Sequence, residues 1–140
     1  DKGWRRRALE ALGWRQAPAG RYLDLCAGTL DVGAALVRQA GFDGTVLAAD
    51  FAEPMLRMGE GKAPRSRLVP VTADALQLPI ADGAMDGAIV AFGIRNVASL
   101  DAGLAEVRRV LRPGAKFVIL EFSTPRARLV GPNSSTSAWP

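Results

Sequence analysis

Histidine is absent from this 140-residue chain, and cysteine occurs once. Without histidine, the serine and cysteine triads that use an imidazole base are excluded, and so are most zinc sites. Hydrolase and metalloenzyme chemistry falls away together, and no metal ligand set is expected. The lone Cys26 cannot form a disulfide within the chain; inside the apolar run YLDLCAG it reads as a small buried hydrophobe suited to a reducing compartment. No apolar run approaches the roughly 18 residues of a membrane-spanning helix. The first residues carry Arg5, Arg6 and Arg7 without the long apolar segment of a signal peptide, so the chain reads as soluble and cytoplasmic.

What is present is a hydrophobic content of 49% over a length that suits one domain with a real core. The net charge of +4 comes mainly from arginines and suits an acidic partner, a nucleic acid or an anionic membrane surface. The basic clusters are scattered, however, and both WRRR and VRRVLR fit solvated helix faces.

Apolar runs alternate with amphipathic or small-residue segments, the pattern of a parallel sheet covered by helices on both faces. Helices are expected over Trp4 to Leu12, Asp31 to Ala40, Ala52 to Gly59 and Ser99 to Leu111. Strands are expected at RYLDLC, GTVLAAD, RLVPVTA, DGAIVAF and AKFVILEF, with a short connection around ALQLPI. In the last helix Leu100, Leu104, Val107 and Leu111 recur on one face, Ser99 supplies a cap, and RPG ends it. Residues 1–125 form the folded core in this reading and residues 126–140 an irregular or disordered tail.

Three stretches carry chemistry. LDLCAGTLDVG, Leu23 to Gly33, runs from a strand through small residues into a helix, where a tight glycine turn lets backbone approach a ligand. Its glycines do not match the spacing of a dinucleotide fingerprint, and a turn without a ligand explains them as well. Asp50 closes the second strand, where a carboxylate can hold a ribose diol; a cap for the following helix is the other reading. Asp74 follows the third strand, where it can accept from an exocyclic amine of adenine or simply shape a surface turn. Asp82 beside Gly83 reads as turn chemistry.

LDLCAGTLD, AADFAEPML, ADALQLP, AFGIRNV and EVRRVLRPGAKFVILEFS together resemble the ubiquinone and menaquinone biosynthesis C-methyltransferases. The likeness runs from about Trp4 to Pro125, and FGIRN, EVRRVLRPG and LEFS are its specific part. It implies an α/β, Rossmann-like class I methyltransferase core with strand order 3-2-1-4-5. It also implies an apparently truncated member, lacking the usual last two strands, so that AKFVILEF would be an exposed apolar edge.

The cofactor implied is S-adenosylmethionine. Gly28 and Thr29 would lie against its methionine moiety, Asp50 would bind its ribose with Phe51 alongside, and Asp74 with Ala75 would border the adenine. Leu30 stands where the superfamily usually has the last glycine of its turn, so its side chain would crowd the cofactor or shift the backbone. Arg95 and Asn96 fall at the substrate-side motif, and the implied acceptor is a polyprenylated quinol methylated at a ring carbon. An arginine is no base at neutral pH, so Arg95 reads as an electrostatic stabiliser of a phenolate, or else as a strand-end arginine paired with a carboxylate. Asn96 would orient the oxygen or a water.

A prenyl tail would bring such an enzyme to the inner membrane face as a peripheral protein, helped by the amino-terminal arginines. Another small-molecule methyltransferase and a non-catalytic cofactor-binding module remain open alternatives. A nucleic-acid partner is not expected, because FGIRN lacks the proline-aromatic motif used on base amino groups.

Overall fold

The computed structural model describes residues 2–91, 97–120 and 127–130, the last four and Lys2 as backbone only. Ten named elements build one sheet and its covering layers. They are α1 (Lys2–Leu12), β1 (Arg21–Leu25), α2 (Asp31–Val37), β2 (Thr45–Asp50), α3 (Glu53–Met58), β3 (Leu68–Thr72), β4 (Met85–Ala91), α4 (Leu100–Val110), β5 (Leu111–Leu120) and β6 (Ala127–Val130). A 3₁₀ turn at Trp14–Gln16 joins α1 to β1.

The sheet order is β3-β2-β1-β4-β5-β6. The first five strands are parallel, in the expected order, and β6 runs antiparallel to β5. Strand residues alternate between two apolar layers, as a sheet covered on both faces requires. Tyr22, Val46, Leu68, Ile89 and Val118 point into a layer shared with α1, α2 and α3 through residues such as Leu9, Leu36 and Leu56. Leu23, Leu25, Ala49, Val90 and Phe117 point into the opposite layer, shared with Val107 and Val110 of α4. Among the described residues no helix is long and apolar enough to cross a membrane.

Ser99 caps α4 as expected: its Oγ accepts from the Ala102 amide at 3.2 Å. The buried face differs slightly from the periodic one, since Val107 and Val110 are fully buried whereas Leu100 is 52% exposed. Two expectations need correction. RPG follows the end of α4 as expected, with Leu111 as the C-cap, but the next strand does not wait for Ala115: β5 begins at Leu111, and Pro113 and Gly114 lie within it where the register with β4 shifts. Nor is residue 126 onward irregular throughout, because Ala127–Val130 pairs with Phe117–Leu120. That pairing covers the apolar stretch of β5 expected to be an open edge.

Between β3 and β4 the chain forms no helix. Residues 73–84 make turns and a single bridge between Asp74 and Gln77. This connection, the carboxyl ends of β1 and β2, and Val97 and Ala98 before α4 frame the candidate site among the described residues, beside the point where the strand order reverses between β1 and β4.

Candidate functional site

A cavity of about 460 Å³ opens at the carboxyl ends of the strands. It has the size of a small-molecule site and mainly apolar walls, which include Leu25, Cys26, Ala49, Ala73 and Val97. Two carboxylates line it, Asp50 at the end of β2 and Asp74 just after β3, with Phe51 and Ala75 beside them. Phe51 is 80% exposed, an unusual state for a large aromatic and one that offers a ring face at the cavity rim.

Asp50 joins two neighbouring segments. Its Oδ2 accepts from the Gly28 amide at 2.8 Å and its Oδ1 from the Ala52 amide at 2.8 Å. A carboxylate has about four lone-pair positions, so two remain for a ligand. Asp50 does not cap α3, whose N-cap is Ala52 without a side-chain cap bond; it fixes the Ala52 amide in the turn before the helix and lines the cavity.

The turn after β1 is unusually bent for its composition. Gly28 has φ of 55°, and two residues with side chains, Cys26 at 55° and Leu30 at 71°, also lie in the left-handed region. Each such residue costs on the order of 1 to 2 kcal/mol and persists only where its surroundings hold it. Several groups hold Leu30. Its side chain is buried in the core, 2% exposed, and does not line the cavity, so of the two expectations for this position, crowding or a shifted backbone, crowding is not what the structure shows. Lys62 Nζ donates to the Thr29 carbonyl and to Asp31 Oδ1, each at 2.7 Å. Gly59 ends α3 against the same turn, where a Cβ would meet the Thr29 carbonyl oxygen at 2.3 Å; only glycine permits that approach.

Thr29 is not among the described residues lining the cavity; its hydroxyl donates to Asp31 Oδ2 at 3.2 Å. Gly28 reaches the site through its bond to Asp50. Asp50, Phe51, Asp74 and Ala75 are brought together around one cavity, while Arg95 and Asn96 lie outside the described residues. Among the described residues, no group of three His, Cys, Asp or Glu is placed to hold a metal ion.

One acidic residue was missed by reading the sequence. Asp24 lies within β1, 2% exposed, with its Oδ2 accepting from the Gly33 amide of α2 at 3.1 Å. Burial pushes its carboxyl up to about 7; the charges of Asp50 and Asp31 add to the effect and the Gly33 bond opposes it. A carboxylate at an alternate position of an apolar strand was the available signal. Burial likewise pushes the Cys26 thiol up to about 11, with Asp50 and Asp24 contributing, so it remains a protonated wall residue and not a nucleophile.

A parallel 3-2-1-4-5 sheet with this cavity at its switch point defines a class I methyltransferase fold. A SAM-dependent methyltransferase from Aquifex aeolicus superposes with a TM-score of 0.67 at 22% identity, covering 76% of this chain and 59% of that one. The [4+2]-cyclase SpnF superposes at 0.72 with 21% identity, covering 84% of this chain and 44% of its own, so the fold alone does not fix the reaction.

The chain belongs to the ubiE/COQ5 methyltransferase family, whose family model matches residues 1–134. It is 41% identical over 133 residues to a ubiquinone/menaquinone biosynthesis C-methyltransferase UbiE of Geobacter sulfurreducens, covering 92% of this chain and 51% of the relative. It is 46% identical over 125 residues to a demethylmenaquinone methyltransferase of Beutenbergia cavernae, covering 89% of this chain and 49% of the relative. The chain thus spans about half the length of the curated relatives it matches.

Proposed function

We propose that this chain is the cofactor-binding core of an S-adenosylmethionine-dependent enzyme that methylates a ring carbon of a polyprenylated quinol. The single observation that carries the reading is the pair of carboxylates, Asp50 and Asp74, on one mainly apolar cavity at the strand ends. A nucleoside needs such a set: a carboxylate for the ribose diol, a second acceptor for the adenine amine and apolar walls for the base. S-adenosylmethionine fits these residues and, when bound, supplies an electrophilic methyl group on a sulfonium.

In this reading Asp50 accepts from the ribose hydroxyls with the lone pairs that Gly28 and Ala52 leave open, and Phe51 packs on the base or sugar. Asp74 accepts from the adenine amine while one of its oxygens holds the Leu76 amide at 2.9 Å. Gly28 and Thr29 lie toward the methionine end, where the Lys62 bond keeps the turn in place.

Arg95 and Asn96, which follow β4 in sequence, serve the acceptor. Ring methylation needs the electron density of a phenolate, and a model phenol loses its proton only near pH 10. A guanidinium about 4 Å away, at an effective dielectric near 20, favours the anion by roughly 4 kcal/mol before desolvation. Arg95 supplies that charge and Asn96 orients the oxygen. Arg6 and Arg7, exposed on α1, give the protein a cationic face for peripheral contact with anionic lipid.

The test is transfer of a labelled methyl group from S-adenosylmethionine to a short-chain demethylmenaquinol kept reduced. Label in the quinol, lost in Arg95→Met, is the expected result. A chain that binds S-adenosylhomocysteine but labels no quinol would overturn the acceptor assignment.

A further inference from the structure

The VRRVLR cluster, which the sequence presents as a solvated helix face, contains a residue of another kind. Arg109 lies in the last turn of α4, and all five of its N–H donors have acceptors. Its Nε donates to Glu106 Oε1 at 2.7 Å and its Nη2 to Glu106 Oε2 at 2.8 Å, a two-pronged pair on one carboxylate. The remaining donors leave the helix for the β3–β4 connection: Nη2 reaches the Leu78 carbonyl at 3.1 Å, and Nη1 reaches the Ile80 carbonyl at 2.8 Å and Asp82 Oδ1 at 2.7 Å.

Glu106 completes the latch. Its side chain is only 13% exposed, and its Oε2 accepts from the Leu78 amide at 2.6 Å. The Gly83 amide donates to the Arg109 carbonyl at 2.9 Å, so both ends of the stretch 78–83 are held by α4. The connection has no helix of its own to stiffen it. Upstream, its internal bonds are few: Gln77 donates to the Asp74 carbonyl at 3.0 Å, and Leu76 to the Asp74 carboxylate. The segment bearing Asp74, Ala75 and Leu76 is therefore pinned by β3 on one side and by the Arg109–Glu106 pair on the other.

We infer that Arg109 and Glu106 are positioning residues for the adenine end of the cavity, acting through the β3–β4 connection and touching no ligand themselves. The inference rests on the cofactor reading above. A planar fork with five donors suits the task, and lysine, with three rotatable donors on one atom, cannot reproduce it. Glu106 stays ionised, its carboxyl held below the usual range first by the Arg109 bonds, although burial opposes them.

The experiment uses the full chain with Arg109→Met, Arg109→Lys and Glu106→Gln. The affinity of each is measured by calorimetry for S-adenosylhomocysteine and for S-inosylhomocysteine, which lacks the exocyclic amine. Alongside, amide exchange is followed over residues 74–84 and over β1 and β2. Wild type is expected to prefer the adenosyl compound. Arg109→Met is expected to lose about tenfold in affinity for it, roughly one hydrogen bond to the base, with little change for the inosyl compound. Exchange is expected to accelerate over 74–84 and not in β1 or β2. Arg109→Lys falls between. Glu106→Gln keeps an acceptor for the Leu78 amide and is expected to show the same selective loss, which decides the matter if Arg109→Met does not fold.

Folded variants that keep the wild-type preference, or that lose affinity for both compounds equally, overturn the inference. If wild type binds neither compound, the cofactor reading has failed instead, and the exchange arm still decides whether the pair holds the connection.

Discussion

The amide of Gly28 donates to Asp50 Oδ2 at 2.8 Å, which fastens the turn after β1 to the end of β2. Two segments far apart in sequence are thereby joined beside the cavity, which Cys26 and Asp50 line and Gly28 reaches through its bond to Asp50. Gly28→Ala separates space from conformation, because an added Cβ meets only Met55 Cε at 3.9 Å while φ stays at 55°. The substitution should cost about 1 kcal/mol of stability from the left-handed backbone alone and leave the fold intact. Urea denaturation measures it, and a neutral result would show that the backbone there is not held left-handed.

Asp24 should give the protein a pH dependence opposite to that of most acids. Below about pH 4 the carboxyl is protonated in both the folded and the unfolded chain. Between about pH 4 and 7 the unfolded chain ionises while buried Asp24 stays neutral, so stability falls as pH rises, then levels off above 7. Three pK units correspond to about 4 kcal/mol. Asp31 and Glu106, whose carboxyls are held low, act below this window. Denaturation from about pH 4 to 8 should place Asp24→Asn near wild type at about pH 4 and progressively above it as pH rises to about 7; parallel curves would contradict the buried neutral acid.

Lys62→Met should loosen the same turn from its other side. The variant leaves the Thr29 carbonyl without its 2.7 Å partner, a loss of about 1 kcal/mol. Asp31, whose carboxyl is lowered first by the Lys62 hydrogen bond, should titrate closer to its ordinary value. Because a lowered carboxyl stabilises above its unfolded value and not below it, the cost should be greatest at neutral pH and shrink as pH falls below about 4. Urea titrations at neutral pH and near pH 3 check this; an equal cost at both would remove the Asp31 contribution.

Much of the fold was legible because each strand of the parallel core is a short apolar run ended by Gly, Pro or Asp, and because Ser99 stands one residue before an amphipathic helix. ARLV was missed as β6 since four residues without a turn signal carry no period, and it is the neighbouring β5 that makes it a strand. The positions of Asp50 and Asp74 could be read from where their strands end. Asp24 stood out only as a carboxylate in an apolar strand; its burial depends on α2, whose Gly33 amide binds it across β1. Arg109 looked solvated because its acceptors lie on a connection that only the tertiary fold brings to α4. Leu30 was expected either to crowd the cofactor or to shift the backbone; its backbone is left-handed and its side chain lies in the core.

The central claim, that the cavity with Asp50 on its edge holds S-adenosylmethionine, is tested most directly by calorimetric titration of the chain with S-adenosylhomocysteine beside an Asp50→Ala variant. The account predicts one site per chain in wild type and an affinity at least about tenfold weaker in the variant, the loss of one or more charged hydrogen bonds to the ribose. No heat from a folded wild-type chain, or equal affinity in the folded variant, would contradict it.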